Sequence, residues 1–469
     1  MTVAAECTVV FLPGLGLDAS AVVPVARELD ARFRVIAIEL PGQGDAPDAP
    51  DGSVTAQVDA AVAAIAARAD GGPWVLCAHS MGGKIAAGIA ARVRDGCAPL
   101  FGLMGVVLLA PSPPTPEPMP DSKRHEMLSW VDDGPISDAD ARTFVDDNVG
   151  ASLPAEFQAS VVESVRAMSP VAWRRWLEQG SVEDVSAGIG ILDLPCTVLG
   201  GDQDDLLGAD AQPELLSDVY PRARFVTLPG AGHLLSYERP AEVACALGEL
   251  WDDASAHSAL VPHEWGLVIA SARTTPKVRS ALARRALPDD PRYRPRVLSP
   301  AQLDLLRRIA DRLVPQPDGG RIDLAARVDS DLAAGGGDGW RPAGALSDDE
   351  AYQEGLDALA TVWPEATDEQ DALIRDVIDG TSETGGRLTA DALRRWFEDL
   401  RVDVAREWLT HPASLARVGY DGFATGAEDV DFAGYRDLAA GARDDWEPSD
   451  LGVSTTPDAT PGASKEDAA

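Results

Sequence analysis

A serine hydroxyl is a useful nucleophile at neutral pH only where a neighbouring base can take its proton, so its place in the chain matters more than its presence. Ser80 stands in WVLCAHSMGGKIAAGIAARV, between a buried apolar run and a helical stretch that begins near Gly82. A strand-to-helix turn this sharp holds its central residue in a strained conformation. Small residues two before and two after it, Ala78 and Gly82, let strand and helix approach closely. Glycine is commoner at the first of these positions, and alanine still fits. The hydroxyl is then carried out beyond the carboxyl edge of the sheet. The amide of Met81, opening the helix, aims its N–H at a developing oxyanion. A serine that merely caps a helix is the plainer alternative, but strand, turn, helix and both small residues together favour the nucleophile. FLPGLG offers a second donor: the turn Pro13-Gly14-Leu15-Gly16 leaves a strand and exposes a backbone N–H, that of Leu15, facing Met81 across the site.

The base must come from six histidines. His79 adjoins the serine and its side chain is expected to point elsewhere. His125 falls in an insertion, His257 and His263 precede a change of composition, and His411 lies in a later region. His233, in LPGAGHLLSYERPAEV, follows the last apolar run and precedes a helix, where a loop can reach over the sheet edge. An acid to orient it should follow a strand between Ser80 and His233. After the run at 105–110 come Ala110, Pro111, Ser112 and Pro113, with no carboxylate. After the run at 196–200 comes Gly201-Asp202-Gln203-Asp204-Asp205. Spacing favours Asp204, with Asp202 and Asp205 as reserves that would otherwise be turn residues.

These residues need a scaffold, and the chain supplies one. Apolar runs at 8–12, 34–38, 74–77, 105–110, 196–200 and 223–228 alternate with helical stretches at 20–30, 53–69, 82–94, 209–219 and 240–251. That is the pattern of a doubly wound, mostly parallel α/β sheet. Between about 112 and 190 the alternation gives way to a Pro-rich exit and four helical segments, expected to form a cap over the carboxyl edge of the sheet. Residues 1–252 are thus expected to form one domain. Residues 253–298, with an Arg- and Pro-rich stretch, read as a linker. Residues 299–445 read as a smaller all-α domain, with helices at 299–314, 322–334, 347–361, 367–378, 388–410 and 432–441. Residues 446–469 read as a disordered tail. Trp396 and Phe397 are expected in a core or interface, and Gly335-Gly336-Gly337 in a turn.

The net charge of −36, from 76 acidic and 40 basic residues spread along the whole chain, disfavours nucleic acid and anionic membrane surfaces as partners. Five scattered cysteines suggest neither a disulfide framework nor a zinc site. The first residues read as a strand rather than a signal peptide, so a cytoplasmic protein is expected. No cofactor or metal is expected.

From FLPGLG through CAHSMGG and GGDQDD to PGAGHLL, residues 8–251 resemble the α/β-hydrolase family. The resemblance implies acyl transfer through an acyl-serine on a small ester, thioester or lactone. The family also holds C–C hydrolases and cofactor-free perhydrolases, which remain alternatives. Residues 299–425 resemble the gluconate 2-dehydrogenase subunit 3 family, in LSPAQLDLLRRIADRLVP, AYQEGLDAL, RRWFEDLRVDVAREWLTHP and VGYDGF. That resemblance implies an accessory role, binding a flavin-dependent sugar or polyol dehydrogenase. The competing reading is an all-α domain that only supports the hydrolase.

Overall fold

Strands buried on both faces are apolar throughout, whereas strands at a sheet edge can alternate. Both kinds occur in the computed structural model, which describes residues 5–317, 320–335, 346–382 and 387–423. The strands are β1 (Cys7–Leu12), β2 (Phe33–Ala37), β3 (Trp74–His79), β4 (Leu103–Leu109), β5 (Cys196–Gly201) and β6 (Ala223–Leu228). They form one sheet in the order β2-β1-β3-β4-β5-β6, and every pairing is parallel. The four inner strands are buried along their whole length, while the edge strands β2 and β6 are half-exposed.

Helices Val54–Ala66 and Met81–Arg94 pack together, as do Val23–Glu28 and Pro240–Ala256. The chain runs from β1 outward to β2 and then crosses to β3 on the other side of β1. The carboxyl ends of β1 and β3 therefore flank the switch point, the place where open α/β sheets bind ligands. The stretch 209–219, expected to be helical, keeps only a short helix at Gln212–Leu216, with Pro213 in its first turn.

Between β4 and β5 lie helices Asp121–Ser129, Asp138–Asp147, Ala155–Ala167 and Pro170–Arg175, followed by a π-helical turn at Trp176–Gly180. They pack about the fully buried Trp173, whose indole N–H donates to the Met127 carbonyl at 2.8 Å. The expected cap is thus helical, with a core of its own joined to that of the sheet.

The region 253–298, expected to be a linker, is built into the first core instead. It forms helices His263–Ala270 and Pro276–Ala286, and Trp265, Ile269 and Leu282 are buried in the same apolar core as the sheet residues. Arg279 is buried there too. Its guanidinium donates to the carbonyls of Gly96, Ala98, Ile269, Ser271 and Thr274 at 2.7–3.3 Å. An arginine that looks like part of a solvated basic stretch is in fact used as a five-donor fork.

A second apolar core follows, around Leu306, Ile309, Leu356, Leu359, Phe397, Leu400 and Val404. Its described helices are Pro300–Leu313, Leu324–Ala333, Asp348–Ala360, Thr367–Asp379, Ala390–Leu409 and Pro412–Val418. Ser299 caps the first of these reciprocally with Gln302, and Pro300 occupies its first turn. Trp396 and Phe397 are both buried in this core. Gly336, Gly337, the helix expected at 432–441 and the tail expected from 446 lie outside the described residues. Among the described residues no helix is long and apolar enough to cross a membrane.

Candidate active site

Ser80 directly follows β3 with φ 50° and ψ −119°, a conformation that L-residues adopt only when their surroundings impose it. Its N–H donates to the Leu109 carbonyl of β4 at 2.9 Å, and its carbonyl accepts from Gly83 at 2.7 Å and Ser112 at 2.9 Å. Gly82 is needed for a reason of space: a Cβ there would lie 2.7 Å from the Pro13 carbonyl oxygen and 2.8 Å from that of Leu12. The helix can therefore start directly against the end of β1.

His233 reaches the same point from the loop after β6. Its Nε2 lies 2.8 Å from Ser80 Oγ, and its Nδ1 lies 2.6 Å from Asp204 Oδ2. The other Asp204 oxygen accepts the N–H groups of Leu206 and Leu207, each at 3.0 Å. Both side chains are largely enclosed, with 12% and 7% of the His233 and Asp204 surfaces exposed. Burial alone would raise the Asp204 carboxyl. The charge and hydrogen bond of His233 and the two loop N–H groups outweigh it and bring Asp204 down to about 2. Burial alone would lower His233. The Asp204 carboxylate, aided by Glu117 and Glu238, reverses that and raises it above its ordinary value.

Asp202 and Asp205 are exposed and stand apart from this chain of contacts. Asp202 accepts the Gly230 N–H at 2.7 Å and so ties together the loops after β5 and β6. The turn after β1 lies against the serine, since a Cβ on Gly14 would come within 3.0 Å of Ser80 Cβ. The Gly14 carbonyl is turned onto the fully buried Gln43, whose side-chain N–H donates to it at 2.8 Å. In a trans peptide the following N–H, that of Leu15, points the opposite way. Met81 opens its helix, where the first N–H groups have no intrahelical acceptor. Among the described residues no three His, Cys, Asp or Glu side chains converge as metal ligands would.

Several residues at this site were not assigned to it from the sequence. Gln43 is one. His79 is another: its ring packs on His233 with centroids 4.9 Å apart instead of pointing elsewhere, and its Nε2 lies 2.8 Å from the His233 carbonyl oxygen. Burial, with His233 beside it, pushes His79 down to about 3, so it is neutral and donates that bond. Lys84, one helical turn beyond Ser80, is fully buried and donates to the cap carbonyls of Gly180 and Glu183 at 3.1 and 2.7 Å. Burial lowers its ammonium to about 8 against the pull of Glu117, Glu183 and Asp184. Glu117 turns its carboxyl inward from the Pro-rich exit of β4. A lone lysine in an apolar helix was the one clue available.

A model of the alpha/beta hydrolase family matches residues 9–247. No curated protein matches the chain. Among solved structures, a thermophilic esterase from Thermogutta terrifontis is 23% identical, covering 53% of this chain and 91% of its own, with a TM-score of 0.45. The enol-lactonase of Burkholderia xenovorans is 20% identical over 53% and 92% of the two chains, with a TM-score of 0.43. The 2-hydroxy-6-oxo-6-phenylhexa-2,4-dienoate hydrolase of a Rhodococcus strain is 22% identical over 53% and 91%, with a TM-score of 0.44.

Proposed function

The chain belongs to the alpha/beta hydrolase family, and from that premise we propose that it hydrolyses a small carboxylic ester, thioester or lactone through an acyl-serine. The observation that carries this reading is the continuous hydrogen-bonded line from Ser80 Oγ through His233 to Asp204. Ser80 Oγ attacks the carbonyl carbon while His233 Nε2 takes its proton. The carbonyl electrons move to oxygen, where the N–H groups of Leu15 and Met81 receive the charge. Collapse of this intermediate expels the alcohol or thiol, protonated by His233, and leaves Ser80 acylated. Water then attacks with His233 again as base, and release of the acid restores the serine. Asp204 holds the imidazole with its proton on Nδ1 and stabilises the imidazolium formed in each half-reaction.

The test is a panel of p-nitrophenyl esters, thioesters and lactones against the pure protein and Ser80→Ala, with fluorophosphonate labelling as a second readout. Turnover and labelling by the parent protein, both lost in the variant, is the expected result. Equal turnover by the two would remove Ser80 from the reaction.

A further inference from the structure

At the edge of the sheet opposite the triad, a cleft of about 640 Å³ separates the first core from the helices of the second. Asp193 and Arg222, on its wall, lie just before β5 and β6, whereas Asp204 and His233 lie just after those strands. Each strand has 6 residues, and at about 3.3 Å per residue that puts about 20 Å between the two edges. The facing wall is made by Arg327, Ser330 and Asp331 of helix Leu324–Ala333 and Glu407 of helix Ala390–Leu409. A volume of this size suits a small-molecule ligand.

In a chain of net charge −36 with 40 basic residues, Arg222, Arg284, Arg285, Arg296 and Arg327 all line this cleft. Its carboxyls are mostly committed. Asp289 holds the Arg327 guanidinium at 2.7 Å, and Asp290 accepts the Arg292 N–H at 3.0 Å. Asp331 hydrogen-bonds Glu407, which burial and that neighbour push up to about 7. By contrast, the guanidiniums of Arg284, Arg285 and Arg296 form no hydrogen bond or ion pair among the described residues. That of Arg222 donates only to the carbonyls of Pro288 and Asp289, at 2.9 and 3.3 Å. Basic residues in the last turn of a helix answer its dipole. That accounts for Arg284 and Arg285, at the end of helix Pro276–Ala286, but not for Arg222 or Arg296. The segment carrying Arg296 is fixed in place: Asp289 also accepts the Asp323 N–H at 2.7 Å, and the Tyr293 hydroxyl donates to Asp329 at 2.6 Å. Four guanidiniums without a carboxylate partner thus face Asp193 and the Asp331–Glu407 pair.

We propose that this cleft is a second binding site, for a small organic anion with an apolar group, whose phosphate or carboxylate is held by Arg284, Arg285 and Arg296. Guanidinium groups match both kinds of anion with paired N–H donors. The apolar group has a place beside them. A groove of about 220 Å³ shares Asp193, Arg284 and Leu287 with the cleft and is lined by Val93, Leu103, Ile191, Leu192 and Ala283. Ile191 is 63% exposed, apolar surface that a bound ligand would remove from water. A ligand in the cleft touches elements of both cores, so its binding also strengthens their docking.

The experiment is titration calorimetry of the full chain at low ionic strength with pyrophosphate, propane-1,2,3-tricarboxylate, inorganic phosphate and phenyl phosphate. Saturable binding of pyrophosphate or the tricarboxylate at a single site is the expected result, and which of the two binds tells phosphate from carboxylate as the anionic group. Phenyl phosphate should bind more tightly than inorganic phosphate. The double variant Arg284→Gln/Arg296→Gln should weaken binding about tenfold or more. The control Arg166→Gln/Arg308→Gln removes the same charge from exposed positions outside the cleft and should change it less than about twofold. Turnover of p-nitrophenyl acetate should be the same in the parent and the cleft variant, which shows that the variant is folded. Absence of saturable binding by either polyanion, or equal weakening by the two double variants, would overturn the site. Equal affinities for phosphate and phenyl phosphate would overturn the assignment of an apolar group to the groove.

Discussion

Asp204→Asn is the most informative single substitution, because the loop decides which way the amide must face. Asp204 Oδ1 accepts two backbone N–H groups, from Leu206 and Leu207, each at 3.0 Å. An asparagine that turned its NH2 toward them would set donors against donors twice. Its oxygen therefore stays on the loop and its NH2 faces His233 Nδ1, 2.6 Å from where the carboxylate oxygen stood. Nδ1 must then accept, so the ring proton moves to Nε2, the atom 2.8 Å from Ser80 Oγ. A base already protonated there cannot take the serine proton. The same exchange in a serine-protease triad costs about 10,000-fold in kcat, or about 5.5 kcal/mol at 1.4 kcal/mol per tenfold. The expected result here is a loss of that order in kcat/KM for p-nitrophenyl acetate, with a parallel slowing of fluorophosphonate labelling and unchanged circular dichroism. Asp202→Asn and Asp205→Asn should stay within roughly threefold of the parent, since exposed substitutions away from the site change little. In Asp202→Asn the side-chain carbonyl can still accept the Gly230 N–H. Retention of more than a tenth of the activity by Asp204→Asn, or equal losses in all three variants, would refute the assignment of the acid.

Ser80→Ala should lose several orders of magnitude in turnover while keeping its fold, read by ester hydrolysis and thermal melting side by side. The parent kcat/KM should rise with pH through one ionisation centred above the ordinary histidine value of about 6.5, because His233 must be neutral to act and the carboxylates around it favour its protonated form. A midpoint below that value would contradict the electrostatics of the site. Gln43→Leu removes the side chain that accepts the Leu40 N–H and donates to the Gly14 carbonyl. It should cost about 1–3 kcal/mol by denaturant titration and lower kcat more than it raises KM, since the turn carrying Leu15 loses its anchor. A chain ended near Asp253 should be insoluble or far less stable, whereas one ended near Leu298 should stay soluble and hydrolyse esters, because only the longer one keeps Trp265, Ile269, Leu282 and Arg279.

The sheet was legible because parallel strands buried on both faces must be apolar from end to end, and six such runs alternate with helical stretches. Ser80 was legible because its turn requires small neighbours, and His233 and Asp204 because each follows one of those runs. The 253–298 region was misleading for a definable reason. Its Arg and Pro content resembles that of solvated linkers, and only the fold supplies the carbonyls that surround the Arg279 guanidinium. His79 was misjudged because strand alternation sends neighbours to opposite faces, and that rule fails where β3 turns sharply at Ser80. Glu117 and Gln43 were invisible because neither lies in a periodic segment; only the fold brings the Gln43 side chain to the Gly14 carbonyl and turns the Glu117 carboxyl onto the Ser112 hydroxyl.

The cap does more than cover the site. The Asn148 carbonyl, at the end of cap helix Asp138–Asp147, accepts the N–H groups of both His233 and Leu234, at 2.8 and 3.1 Å. Glu238 in turn accepts the N–H groups of Gly150 in the cap and Gly232 in the histidine loop. The main chain that carries the base is therefore moored to the cap, just as the turn after β1 is touched by it through the Gly16 N–H and Met168 Sδ at 3.2 Å. Lys84 adds a third tie, from the helix that Ser80 initiates to the carbonyls at the π-helical turn. A displacement of the cap would therefore shift the histidine loop with it. Cap placement and base positioning are thus coupled in this fold, and substitutions that break the Asn148 or Glu238 contacts to the histidine loop should lower kcat even for small esters.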